Sequence, residues 1–221
     1  YDLIILGYQA LFLSPSIPFH TLMLTDPLKK VMAGTPVITI TGARNMWVNA
    51  FEKVKQLVRN NRGNHVGTVA LVDRHPNLVS IFTIFHWMVG GKKTRYLNFF
   101  PLPGVSSEDI SQSKEFGKTV IPHLEQNAWG GLKEELLAQK AVDPKFHLLF
   151  IESKASVMFR IWANAIAKRQ KKDILLVAFK YYLLIALFIF APIVFLISLL
   201  FFRPFMPGYV RSKKDAVLKL N

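Results

Sequence analysis

TPVITITG, residues 35–42, places β-branched side chains at Val37, Ile38, Thr39 and Ile40 and closes on a glycine. Branching at Cβ suits a pleated surface and is poorly tolerated in a helix. A continuous apolar run without polar alternation predicts a strand buried on both faces, as in a parallel sheet. Two neighbouring stretches read the same way: YDLIILG, residues 1–7, before it and GTVALVD, residues 67–73, after it. YQALFLSPSIP, residues 8–18, is a loop kept out of helix by Pro15 and Pro18, and residues 19–32 read as a helix interrupted at Pro27 and ended at Gly34. Residues 45–60 form an amphipathic helix with Val48, Phe51, Val54, Leu57 and Val58 on one side. Strand, helix, strand, helix, strand at this spacing predicts right-handed crossovers and an open parallel α/β sheet flanked by helices.

Beyond the third strand, LVSIFTIFHWMV, residues 78–89, is closed by Gly90 and Gly91 and followed by Lys92, Lys93 and Arg95. Twelve residues are too few to cross a bilayer. The stretch is either a core element or an interfacial segment that sets Phe82, Phe85 and Trp87 beneath lipid headgroups while the cations meet phosphates. Phe99, Phe100, Pro101, Leu102 and Pro103 make a stiff apolar loop. Ser106 or Ser107 then caps a helix running to about Glu125, with Glu108 and Asp109 favourably placed in its first turn. Residues 127–143, broken at Gly130 and Gly131, read as a charged surface helix. Residues 153–172 are amphipathic, with Val157, Met158, Ile161, Trp162 and Ala165 opposite Ser156, Arg160, Asn164 and Lys171, and are expected to lie along a membrane.

That membrane is implied by YYLLIALFIFAPIVFLISLLFF, residues 181–202, whose one plainly polar side chain is Ser198. At about 1.5 Å per residue such a helix measures about 33 Å, enough for a hydrocarbon core of about 30 Å. Basic residues flank it on both sides, Lys168, Arg169, Lys171, Lys172 and Lys180 before and Arg203, Arg211, Lys213, Lys214 and Lys219 after, so charge asymmetry does not orient it. A single span and a helix-break-helix dip at Pro192 both fit. In a single span, Lys180, Tyr181 and Tyr182 mark one interface and Arg203 the other. The chain thus divides into an α/β domain (1–127), charged and amphipathic juxtamembrane helices (128–172), a membrane helix (173–204) and a basic tail (205–221).

Twenty-eight Lys and Arg against 14 Asp and Glu give a net charge of +14. Such a balance fits nucleic acid or an anionic lipid surface. The apolar helix decides for membrane lipids, and no zinc-finger or aromatic RNA-binding pattern argues for nucleic acid. With no cysteine in the chain, disulfides and thiolate metal sites are excluded, which agrees with a domain on the cytoplasmic face of the cell membrane. No HExxH or paired-carboxylate pattern, P-loop, dinucleotide fingerprint or nucleophile elbow is present, so the sequence names no catalytic residue and no metal ligand. Asp73, Arg74 and His75, with His86 and Glu108 further on, are titratable but lack the spacing of an acid–base or metal set. Asp73 and Arg74 are expected to have structural roles, such as an ion pair closing the loop.

YDLIILG with its Pro- and Ser-containing loop, TPVITITGARNMW, GTVALVD and the helix opening VSSEDISQSKEFGK together resemble the second half of a flavodoxin-like domain, over residues 1–127. GARNMW, LVDRHPNLVS, HWMVGGKK, PLPGVSSEDI and the C-terminal span look like the membrane-anchored flavodoxin-like proteins labelled dialkylresorcinol condensing enzyme or NAD(P)H-dependent oxidoreductase. The resemblance implies FMN held by two loops. The first carries Tyr8, Gln9, Ala10, Leu11, Phe12, Leu13 and Ser14, and the second Thr41, Gly42, Ala43, Arg44, Asn45, Met46 and Trp47. Phe12 or Trp47 would stack on the ring and Asn45 would bond its pyrimidine edge; ordinary packing is the alternative for both aromatics. NAD(P)H is implied as a transient donor, and protein partners in a lipid- or polyketide-synthesising membrane complex are implied alongside. A condensing activity needs an activated nucleophile, ordinarily Cys, which this chain lacks. The family holds the FMN phosphate in a Ser- and Thr-rich loop after the first strand of the sheet. No such loop precedes Tyr1, so either further residues lie N-terminal to it or the fold serves as a scaffold.

Overall fold

The computed structural model describes residues 1–11, 13–169 and 173–220. Two compact units divide it, one built mainly from Tyr1–Asp143 and the other from Pro144–Lys219.

The first unit is α/β. Its strands are β1 (Ile4–Leu11), β2 (Ser14–Pro15), β3 (Pro36–Ala43) and β4 (Asn64–Val72), in the sheet order β2-β1-β3-β4. β1, β3 and β4 run parallel, while the two residues of β2 fold back antiparallel on Leu11 and Ala10, so the open sheet is mixed. Three helices, α1 (Ile17–Met23), α2 (Asp26–Met32) and α3 (Val48–Asn60), occupy the connections. Their apolar sides meet one face of the sheet in a core of Leu6, Tyr8, Val37, Phe19, Met23, Met32 and the α3 residues Ala50, Val54, Leu57 and Val58. Pro18 and Pro27 fall in the first turns of α1 and α2, where a missing N–H costs no intrahelical bond. Pro27 therefore starts a second helix instead of kinking one.

Downstream lie α4 (Asn77–Gly90), α5 (Ser107–Glu125) and α6 (Leu132–Ala138). α5 begins as expected, with the Ser106 hydroxyl accepting from the Asp109 amide at 3.0 Å. α6 differs from the surface helix its charges suggest, because Leu132 and Leu136 are buried against Gly67 of β4. A Cβ on Gly67 would sit 2.9 Å from Leu136 Cδ1, so the glycine is what lets α6 approach the sheet.

β1 also departs from expectation. Its apolar run predicts burial on both faces, yet burial alternates and Ile5 and Leu11 are 59% and 51% exposed. The reason is coverage: α1 to α3 pack on one face, and α6, which covers the other, sits over β4.

Gly63 closes the tightest spot in this unit. A Cβ there would lie 2.8 Å from Met32 Cγ, 3.0 Å from Val58 Cγ1 and 3.1 Å from Val37 Cγ2, all on fully buried side chains. Gly63→Ala should therefore destabilise the unit by about 1–3 kcal/mol through overpacking. Amide hydrogen exchange of β3 and β4 in the full-length protein measures this, and unchanged protection would refute the steric account.

The second unit is helical. α7 (Phe146–Ala167) doubles back along a 30-residue apolar helix, Asp173–Phe202, before a C-terminal helix, Pro207–Leu218. Aromatic contacts fix the antiparallel pairing: Phe146 meets Phe202 at 5.6 Å, and Trp162 meets Phe179 at 5.5 Å and Tyr182 at 5.6 Å. In the amphipathic segment expected to lie along a membrane, Trp162 and Phe159 pack on the long helix.

That helix is long and apolar enough to cross a bilayer, and only 6% of its most apolar window is buried within the protein, unlike the core helix of a soluble protein. Pro192 does not break it. Wider, π-type turns at Ala186–Phe190 lie just before the proline, and Ala191 keeps helical dihedrals. A wide turn relieves the clash between a proline ring and the preceding turn's carbonyl, so the chain stays helical.

Candidate functional site

Parallel strands with helices in their crossovers leave loops at the carboxyl edge of the sheet, where open α/β sheets bind ligands. Here β1 and β3 deliver theirs side by side, because the register pairs Tyr8 with Thr41 and Gln9 with Gly42. The Thr41 hydroxyl donates to the Tyr8 carbonyl at 3.0 Å and locks the two strand ends together. Beside them opens a cavity of about 560 Å³, lined by Tyr8, Gln9, Ser16, Phe19, Ile40 and Gly42 among others. That volume lies within the usual range for small-molecule sites.

Of the predicted ligand residues, the cavity wall takes Tyr8, Gln9 and Gly42. The Tyr8 ring is buried and tilted on Phe19 at 5.5 Å, whereas Gln9 and Gly42 are exposed. Ala10 is half-buried behind them; Leu11 points to solvent, and Leu13 is buried with a positive φ of 62°. Ser14 accepts from Lys53 Nζ at 2.5 Å. Phe12 lies outside the described residues.

On the second loop Thr41 is consumed by the Tyr8 carbonyl, and the Ala43 carbonyl accepts from the Asp73 amide at 3.1 Å. Asn45 is buried and Met46 half-buried. Trp47 is buried and packs on Phe51 at 5.6 Å, which is the packing alternative for that residue. Arg44 is half-buried; burial pulls its guanidinium below its ordinary pKa while the Asp73 carboxylate opposes the shift.

Asp73 itself anchors a second constellation at the end of β4. Its carboxylate is fully buried. Oδ1 accepts from the His75 amide at 3.0 Å and meets His75 Nδ1 at 2.7 Å, and Oδ2 accepts from the Ser80 hydroxyl at 2.7 Å. The His75 side chain remains 37% exposed. A buried carboxylate fixing an imidazole through Nδ1 orients the ring as in general acid–base pairs. Asp73 and Arg74 do both close loops, but with separate partners: Arg74 pairs with Asp109 in the first turn of α5 at 2.5 Å. His86 sits apart, at 3.2 Å from the Thr94 hydroxyl, and Glu108 bonds Gln112. The Asp-x-His spacing directly after a strand was the one signal in the sequence for the Asp73–His75 pair. Among the described residues no group of three His, Asp or Glu is placed to hold a metal ion.

Comparison with protein-family models, curated proteins and solved structures finds no match for this chain.

Proposed function

We propose that the chain is a membrane-anchored, flavodoxin-like protein that binds FMN at the β1–β3 edge and moves electrons between NAD(P)H or a protein donor and a lipid-like or membrane-bound acceptor, in lipid or polyketide biosynthesis. The observation that carries this reading is the register that sets Gln9 beside Gly42 at the mouth of the cavity. The parallel order β1-β3-β4, each strand beside the next in sequence, is what the second half of such a sheet requires. The long apolar helix supplies the anchor, and the lack of cysteine agrees with a cytoplasmic placement.

The lining fits the ring of FMN better than its phosphate. Gly42 leaves open space for a flat ring, the Gln9 amide can meet a polar ring edge, and Phe19 and Ile40 supply apolar wall. Among the described residues the lining holds no lysine or arginine. FMN, when bound, supplies one- or two-electron transfer. The chain's own residues shape the wall of the cavity, which is open to solvent on one side.

The test is the absorbance spectrum of full-length protein in detergent, with any released cofactor identified by mass. Stoichiometric FMN is expected. Gly42→Leu, which fills the wall, should then remove it, and Gln9→Ala should weaken it by up to about tenfold through one lost hydrogen bond. No flavin, even after reconstitution with added FMN, overturns the reading. The second reading is a non-catalytic scaffold subunit of a membrane-bound biosynthetic complex. It is favoured by the commitment of Trp47 and Thr41 to packing, and its mark is a stably co-purifying enzyme without flavin.

A further inference from the structure

Among its described side chains, α4 has hydroxyls on the inside and apolar groups on the outside. The side chains it turns into the domain include the hydroxyls of Ser80 and Thr83, both buried, with Ser80 donating to Asp73 and Thr83 to the Ser80 carbonyl at 3.2 Å. The residues it turns outward are apolar: Phe82, Phe85, Trp87, Met88 and Val89, with Phe85 and Met88 67% and 78% exposed. A surface helix facing water has the reverse polarity.

The surface continues past the helix. Gly91, at φ 67°, ends α4 by donating to the Trp87 carbonyl at 2.8 Å, and the chain turns through Lys92, Lys93 and Arg95 to Leu97 and Phe99, the latter 84% exposed. The rings of His86, Tyr96 and Phe100 meet in succession at a tilt, at 5.1 Å and 5.5 Å, and tie this turn to the helix. Lys93 Nζ lies 5.7 Å over the Trp87 ring and donates to the Val105 carbonyl at 3.2 Å, so one cation is held at the aromatic border. From residue 77 to residue 105 the sequence holds three cations and no carboxylate.

We infer that α4 and the turn after it form a second membrane contact, lying in the interface of an anionic bilayer with the aromatic face at the acyl boundary and Lys92, Lys93 and Arg95 among the phosphates. Three features select lipid as the occupant. Fourteen residues at about 1.5 Å each give about 21 Å, too short to span and suited to lying in the plane. Aromatic and Met side chains bordered by cations are the composition of interfacial helices. The border carries positive charge alone, which complements anionic headgroups. The inference concerns this unit by itself and does not depend on flavin binding.

The chain has no cysteine, so a spin label is placed by one substitution in the full-length protein. Labels at Phe85→Cys and Met88→Cys are read in vesicles of phosphatidylcholine and phosphatidylglycerol for collision with oxygen, which concentrates in acyl chains, and with a water-soluble nickel chelate. Lys114→Cys on α5 gives the water reference and Leu196→Cys the hydrocarbon reference. The expected result is high oxygen and low nickel accessibility at both α4 labels. It should revert toward the Lys114 pattern in phosphatidylcholine alone, or when Lys92, Lys93 and Arg95 are changed to Glu. Nickel access equal to that at Lys114 in the anionic vesicles overturns the inference by placing the face in water. Exclusion of both reagents overturns it in favour of a covering protein. Insensitivity to headgroup charge removes the role given to the cations. A water-like reading at Leu196 is a separate failure, that of the anchor; the α4 labels decide this inference whichever way Leu196 reads.

Discussion

Asp73→Ala should lower the stability of the α/β unit by about 3–5 kcal/mol, the scale seen when one partner of a buried charged set is removed. The carboxylate has no exposed surface and accepts from the His75 amide, the His75 ring and the Ser80 hydroxyl. Its loss leaves Ser80 buried without its acceptor and removes the negative charge that offsets the burial of Arg44. Asp73→Asn keeps acceptor oxygen but not the charge, and should cost roughly half as much. Hydrogen exchange of the β3 and β4 amides isolates this unit from the helical one. Protection of those amides within about 0.5 kcal/mol of the parent in the Ala variant would show that the cluster is not a structural clamp. His75→Ala separates the roles: a small stability cost with a large loss of any activity would mark the Asp73–His75 pair as chemistry rather than scaffolding.

Mild acid should have an effect of nearly the same size, through His65. Its Nε2 lies 3.0 Å from the Thr39 hydroxyl and 3.1 Å from the Thr68 hydroxyl, at the start of the edge strand β4 and on its buried face. Burial, then the nearby positive charge of Lys55, push the imidazole down to about 4 from its ordinary 6.5; the Gly67 backbone pulls the other way, and Arg59 adds the least. Above pH 6.5 the ring is neutral in both folded and unfolded chains and contributes no slope. Between 6.5 and 4 the unfolded chain takes up a proton that the folded one refuses, so stability falls as pH falls, by about 1.4 kcal/mol per unit and about 3 kcal/mol in all. Below 4 the folded ring also protonates and this contribution levels off. Urea unfolding at pH 7, 6 and 5 should show the slope in the parent and lose this part of it in His65→Gln. Equal slopes in the two would assign the acid sensitivity to other groups.

Chain order and secondary structure were largely legible. The β-branched run before Gly42 forms β3 within a residue of its expected limits, and Ser106 caps α5 with Asp109 in its first turn. β1 was misplaced by several residues because Tyr8 to Leu11 look like loop residues by composition; pairing with β3 and the fold-back of β2 carry the strand through them. Coverage was the illegible part. An apolar strand reads as buried on both sides, and nothing local in YDLIILG reveals that α6 lies over β4 and leaves Ile5 open. Lys55 shows the same limit. It falls on the buried side of α3, where its ammonium pairs with Glu52 at 2.7 Å and lies 5.0 Å from the Phe51 ring centroid. Of the expected ligand residues, Gln9 and Gly42 reach the cavity because strand register puts them there. Trp47 does not, since it stands at the N-cap of α3, from where its ring enters the core beside Phe51.

As the proposed anchor, the long apolar helix makes bilayer thickness a variable for this protein. Its uncharged stretch, residues 181–202, amounts to about 33 Å against a typical hydrocarbon core of about 30 Å. That mismatch is met by tilting or by local thickening of the lipid, at a fraction of a kcal/mol per ångström. Thin bilayers therefore penalise the chain and thicker ones release it, so lipid composition alone should sort it among membranes without any change in its sequence.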